Sequence, residues 1–209
     1  MKYIINFAST TSLILFMIIF GHSQSSRIFA INLAEMNLRY SKPPKFKAKD
    51  SSYSFFFYTK NKDKKKEKYL YPMTYRIISK EDNMIIGFTL LPLKIVDDSS
   101  IILKRMYPGR KKNEDYLLKI KHKLDTLKGG KLIEYSQKES NDKFKADKSG
   151  TYSIYLEIPY DGKYHYCSLI YLHKENVGDA EIYYFHTKRN KAKISKYLEN
   201  ASQMLSFKN

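Results

Sequence analysis

GTYSIYLEIPYDGKYHYCSLIYLHKENVGDAEIYYFHT, residues 150–187, holds three β-prone apolar runs separated by two turn signals. The first run alternates Tyr152, Ile154, Leu156 and Ile158 with Thr151, Ser153, Tyr155 and Glu157, the period of a strand with one buried and one wetter face. Pro159-Tyr160-Asp161-Gly162 carries the Asp-Gly signature of a tight hairpin turn, and Asn176-Val177-Gly178-Asp179 marks the next turn. The spacing predicts an antiparallel meander with strands over 150–158, 164–172 and 180–187.

The same logic works upstream. In MTYRIISKEDNMIIGFTLLPL (73–93), apolar runs at Met73–Ile78 and Met84–Leu91 flank the polar turn Lys80-Glu81-Asp82-Asn83, a β-hairpin closed by Pro92. NEDYLLKIKHKLDTLKGG (113–130) is a predicted helix with Asn113 as cap, acids in its first turn and a Gly129-Gly130 stop. Tyr116, Leu117, Ile120, Leu124 and Leu127 form its apolar stripe, and Lys119, Lys121 and Lys123 are assigned to its outer, basic side. Leu132–Ser136 is expected to be a strand, followed by a polar loop, SQKESNDKFKADKSG.

Nearer the start, Ile28, Phe29, Ile31 and Leu33 precede a short predicted strand at Met36–Tyr40, which Pro43-Pro44 ends. Tyr53–Thr59 is a further predicted strand, with residues 60–68 as the loop beyond it. At the other end, NKAKISKYLENASQMLSFKN places Ile194, Tyr197, Leu198, Ala201, Met204 and Leu205 on one helical face, expected to lie on the sheet. The Asn200-Ala201-Ser202 sequon falls inside that helix and is read as incidental. Together these elements predict an α+β chain in which helices cover an antiparallel sheet.

Three stretches, FKADKSGTYSIYLEI, AEIYYFHTK running into a final helix, and the closing QMLSF, resemble the PsbP-like superfamily, which includes bacterial DcrB-like envelope proteins. The resemblance spans roughly residues 36–207. It implies a PsbP-like sandwich and a non-catalytic accessory or binding role, and it transfers no functional residue.

The first 26 residues, MKYIINFASTTSLILFMIIFGHSQSS, have a cation at Lys2, an apolar core at Leu13–Phe20, then Gly21 and small or polar residues, the order of a secretory signal peptide. Asn6, Ser9, Thr10, Thr11 and Ser12 dilute the first half, which suits a cleaved leader better than a membrane anchor. We therefore expect residues 1–24 to be a signal peptide and 25–209 a single domain, periplasmic or secreted, with no integral span after cleavage. The Lys, Ile, Tyr and Asn bias is compatible with an AT-rich bacterial genome. A single cysteine, Cys167, rules out an internal disulfide, so packing must stabilise the fold.

With 38 basic against 21 acidic residues, the chain carries a formal charge of +17, which favours anionic partners. For an exported protein these are an anionic envelope surface or an acidic protein face, with nucleic acid out of reach. The densest positive run is KNKDKKKEK, so Lys60, Lys62, Lys64, Lys65, Lys66 and Lys68 are the candidate anionic-surface contact, set against the simpler role of keeping a hairpin tip solvated.

His165 and Cys167 share a strand face and form a candidate start for a metal site, although no CxxC or HxxxH cluster supports it. No G-x-S-x-G elbow, H-E-x-x-H or Gly-rich phosphate loop is present, so no catalytic residue and no cofactor is assigned. A hydrolase of an acidic envelope polymer with a dispersed site, and a metal carrier using His165 and Cys167, are the alternatives to a binding protein. The tyrosines of residues 152–184 are read as half-exposed strand residues.

Overall fold

The computed structural model describes residues 26–49, 54–60, 66–93, 112–126 and 130–209. Helix α1 covers residues 26–35 and leads to β1 (Leu38–Tyr40) and β2 (Lys47–Ala48). A hairpin of β3 (Ser54–Lys60) and β4 (Lys66–Pro72) precedes a second hairpin, β5 (Tyr75–Ser79) and β6 (Met84–Pro92). A 3-10 turn at Lys112–Glu114 opens α2 (Asp115–Thr126), followed by β7 (Ile133–Glu134) and α3 (Gln137–Phe144). Then come β8 (Lys148–Tyr160), β9 (Tyr164–Lys174) and β10 (Gly178–His186), and finally α4 (Lys191–Glu199), α5 (Ala201–Met204) and β11 (Leu205–Phe207).

Both predicted hairpin systems form. Asp161 and Gly162 adopt positive φ at the β8–β9 turn, as the Asp-Gly signature requires, and Asn83 does so between β5 and β6. The two systems join where β10 pairs with β6, from Gly178 opposite Pro92 to Phe185 opposite Ile85. The result is a seven-stranded antiparallel sheet in the order β2-β5-β6-β10-β9-β8-β7. The predicted α+β class is therefore correct.

This sheet is covered on both sides. On one face Ile86, Phe88 and Leu90 of β6, Ala180, Ile182 and Tyr184 of β10, and Ile170 and Leu172 of β9 pack with Phe29, Phe144, Ile194, Ala201 and Met204 from helices α1, α3, α4 and α5. The other face buries Ile85, Tyr183, Phe185, Cys167, Leu169, Tyr152, Ile154 and Leu156, with Ile120 of α2 above them. Each fully buried aliphatic or aromatic side chain contributes about 1.5–3 kcal/mol, so the two layers carry the fold without a disulfide. The β3–β4 hairpin is a separate ribbon lying against β8.

Several expectations need correcting. The segment with Ile28, Phe29, Ile31 and Leu33, to which the sequence assigned no element, is a helix, anchored by Phe29, which stacks on Tyr75 at 4.4 Å, and by the buried Asn32 amide, which donates to the Leu90 carbonyl. The supposed loop after Ser136 contains α3. Its N-terminus is a capping box, in which the Glu139 N–H donates to Ser136 Oγ at 3.2 Å and the Ser136 N–H donates to the Glu139 carboxylate at 3.1 Å. Leu205 does not continue the last helix but starts β11, which pairs with β1 from Tyr40–Leu205 to Leu38–Phe207. Tyr152, Tyr164, Tyr171, Tyr183 and Tyr184 are core residues, whereas Tyr155 remains half-exposed.

Gly178 starts β10 with φ +151°, and a Cβ there would sit 2.5 Å from the Leu91 carbonyl oxygen and 3.1 Å from Pro92 Cα. Gly178→Ala should therefore lower the unfolding free energy by about 2–4 kcal/mol, read by urea titration. An unchanged midpoint would contradict this close approach of β10 to β6.

Candidate functional site

Of the lysine run, Lys60 ends β3 and Lys66 and Lys68 lie on β4. Lys60 pairs with Lys66 and Tyr58 with Lys68, so the strands extend further into the run than the expected 60–68 loop. Lys62, Lys64 and Lys65 lie outside the described residues. The two candidate metal ligands, His165 and Cys167, sit on β9. Cys167 is fully buried, and burial pushes its thiol well above the ordinary range. His165 is half-buried, its Nδ1 2.9 Å from the Leu156 carbonyl, and its ring stacks with Tyr155. Among the described residues, no group of three or more His, Cys, Asp or Glu could hold a metal ion.

Beneath α2 lies a charged cluster absent from the sequence reading. Lys119 and Lys123 are four apart on the helix, roughly 6 Å of axial rise. Asp179 and Glu181 are two apart on β10, roughly 6.7 Å. The two spacings match, and the pairs close. Lys123 Nζ donates to Glu181 Oε1 at 2.5 Å and to the Tyr183 hydroxyl at 2.8 Å, and that hydroxyl in turn donates to Glu181. Lys119 Nζ reaches Asp179 Oδ2 at 3.2 Å, and Asp179 Oδ1 lies 2.7 Å from Nδ1 of the buried His173, on which Tyr116 stacks.

Lys123 is only 4% exposed, which corrects its assignment to the outer face of the helix, while Leu117, placed on the apolar stripe, is 40% exposed. Burial pulls the Lys123 ammonium below its ordinary range, and Glu181 opposes that shift. The cluster clamps α2 to the sheet.

An open cleft lies on the other side of the molecule. It has a volume of about 640 Å³ and runs between residues 41–46 and α4–α5, with Lys42, Lys45, Lys193 and Lys196 among its lining residues. Pro43 and Pro44 stiffen one wall, and the Ser41 N–H donates to the Met204 carbonyl at 2.9 Å, tying that wall to the opposite one. Phe46, in edge contact with Tyr197, lines the cleft with Met204, Asn200 and Gln203. Asn200 of the sequon lies at the break between α4 and α5, its side-chain amide donating to the Lys196 carbonyl at 2.8 Å.

Asp82, from the β5–β6 turn, is the buried carboxylate of this cleft. It accepts from the Tyr197 hydroxyl at 2.7 Å and from Lys193 Nζ at 3.0 Å. These bonds, the Tyr197 one foremost, hold its carboxyl below the ordinary 3.8. Asn190 completes the link by donating its side-chain amide to the Asp82 and Asn83 carbonyls. Asp82 therefore fastens the last helices to the sheet. Lys45 is bound to Glu81 at 2.5 Å, whereas Lys42 and Lys196 meet no carboxylate among the described residues.

No family model matches the chain, and none of the curated proteins or solved structures compared with it is similar to it. The candidate site therefore stands on its own geometry: a concave, mixed apolar and cationic surface whose one buried carboxylate is already engaged. It can hold an anion.

Two outcomes test these assignments. Asp82→Asn should cost about 1–3 kcal/mol at neutral pH. Because the folded pKa lies below 3.8, the stabilisation is complete above that value and is lost as pH falls through the folded pKa, where wild type and variant should converge. A gap unchanged in strong acid would mean that the charge is not what holds α4. Removing one partner of the buried pair, as in Glu181→Ala, should cost about 3–5 kcal/mol by urea unfolding, whereas the combined Lys123→Met and Glu181→Leu change should cost far less. Equal losses would argue against an ion pair.

Proposed function

We propose that this chain is an exported, non-catalytic accessory or binding protein of a bacterial envelope, built as a PsbP-like sandwich, that engages anionic groups in the cleft beside α4–α5. The cleft carries the reading, because Lys42 and Lys196 lie in a pocket of ligand size whose other cations are already paired. The leader-like N-terminus supports a periplasmic or secreted location, and the charge of +17 supports an anionic envelope surface or acidic protein face as partner. Lys60, Lys62, Lys64, Lys65, Lys66 and Lys68 would add a second basic segment. Among the described residues, no helix is long and apolar enough to cross a membrane.

Vesicles of phosphatidylglycerol and of phosphatidylcholine provide the test. The protein should sediment with the anionic vesicles only, less so as salt rises. The Lys42→Gln/Lys196→Gln variant should bind them roughly 30-fold more weakly. Undiminished binding by that variant, with loss on glutamine substitution of the hairpin lysines, would move the contact to the hairpin. Absence of vesicle binding would leave an acidic protein as the remaining partner class.

A further inference from the structure

We infer that the ligand of this cleft is a single-chain amphiphile, with one anionic head between Lys42 and Lys196 and one apolar chain along Pro43, Pro44 and the Tyr197 ring. The inference rests on the anion-binding reading above and narrows it to a ligand class.

Three observations converge on it. The lining is divided in character: lysines, Asn200 and Gln203 supply polar groups, while the exposed Pro44 and the half-buried Pro43 and Tyr197 supply the accessible apolar surface, backed by the buried Phe46 and Met204. A small hydrated ion would fill little of about 640 Å³ and would leave that apolar surface wet.

The charge count limits the head. Lys45 is held by Glu81 and Lys193 by Asp82, so among the described residues Lys42, from the proline wall, and Lys196, from α4, are the lining cations without a carboxylate partner. Two cations suit one head rather than a polyanionic run. Asp82 and Lys193 offset each other's charge, so the net positive potential of the cleft lies with Lys42 and Lys196, which holds the head there and leaves the apolar surface to the chain.

A fatty carboxylate and a single-chain phosphate ester share this chemistry. Titration calorimetry on the full chain would compare hexyl, octyl and decyl phosphates and the matching alkanoates, all below their micellar concentrations, with inorganic phosphate and uncharged octyl glucoside.

The expected result is affinity rising up to about fourfold per buried methylene. Lys42→Gln/Lys196→Gln should weaken every charged ligand, and the uncharged polar change Pro44→Ser should weaken decyl phosphate while sparing inorganic phosphate. Thermal unfolding would confirm that each variant is folded. The stronger of the two series identifies the head as phosphate or carboxylate. Affinity that stays flat with chain length and equals that of inorganic phosphate would overturn the amphiphile and leave the anion-binding cleft standing. Binding of none of these anions would overturn both.

Discussion

Every residue of β10 is buried, on both faces of the sheet, and the surrounding architecture follows from that constraint. A strand flanked on both edges by β6 and β9 has its backbone groups satisfied laterally, but its side chains need cover above and below. Helices α1, α3, α4 and α5 supply one cover and α2 contributes to the other. Because β10 also carries Asp179 and Glu181, the second cover must bring cations, since an unpaired carboxylate in that position would be prohibitive. Lys119 and Lys123 meet this need because helix and strand repeats nearly coincide over one turn.

Asp82 solves a related problem at the other end of the sheet. The β5–β6 turn belongs to one hairpin and α4 lies roughly a hundred residues later, yet Tyr197, Lys193 and Asn190 all bond this turn. Pairing of β1 with β11 then brings the Pro43-Pro44 segment beside the same helices. The cleft is what remains between these two attachments. Its charge is a consequence as well, because the carboxylates that fasten the walls pair with Lys45 and Lys193 while Lys42 and Lys196 meet no carboxylate among the described residues. The features that would select a ligand thus arise from those that close the fold.

Where hydropathy and local context agree, the sequence was readable. The meander, the 73–93 hairpin and α2 all have turns or caps written beside a clear period. Where they disagree, composition misled. Ser136 and Glu139 form a capping box spelled out in the chain, but the polarity of SQKESNDKFKADKSG hid a helix that buries little besides Ser140 and Phe144. Lys123 lies on the inward side of α2 with Ile120, and only its charge assigned it to solvent. LSF is too short to betray a strand until β1 is beside it. The cleft left no local trace, since its lining comes from positions 41–46, 82 and 193–204.

The chain by itself determined the α+β class, the antiparallel hairpins and the basic charge, because periodicity, Asp-Gly turns and ionisable groups act over a few residues. Only the tertiary structure decided that β10 joins β6, that Lys123 is buried against Glu181, and that Lys42 and Lys196 share one cleft. These depend on which distant surfaces meet. That choice is set by the combined burial of two sheet faces and by the pairing of charges that no local pattern brings together.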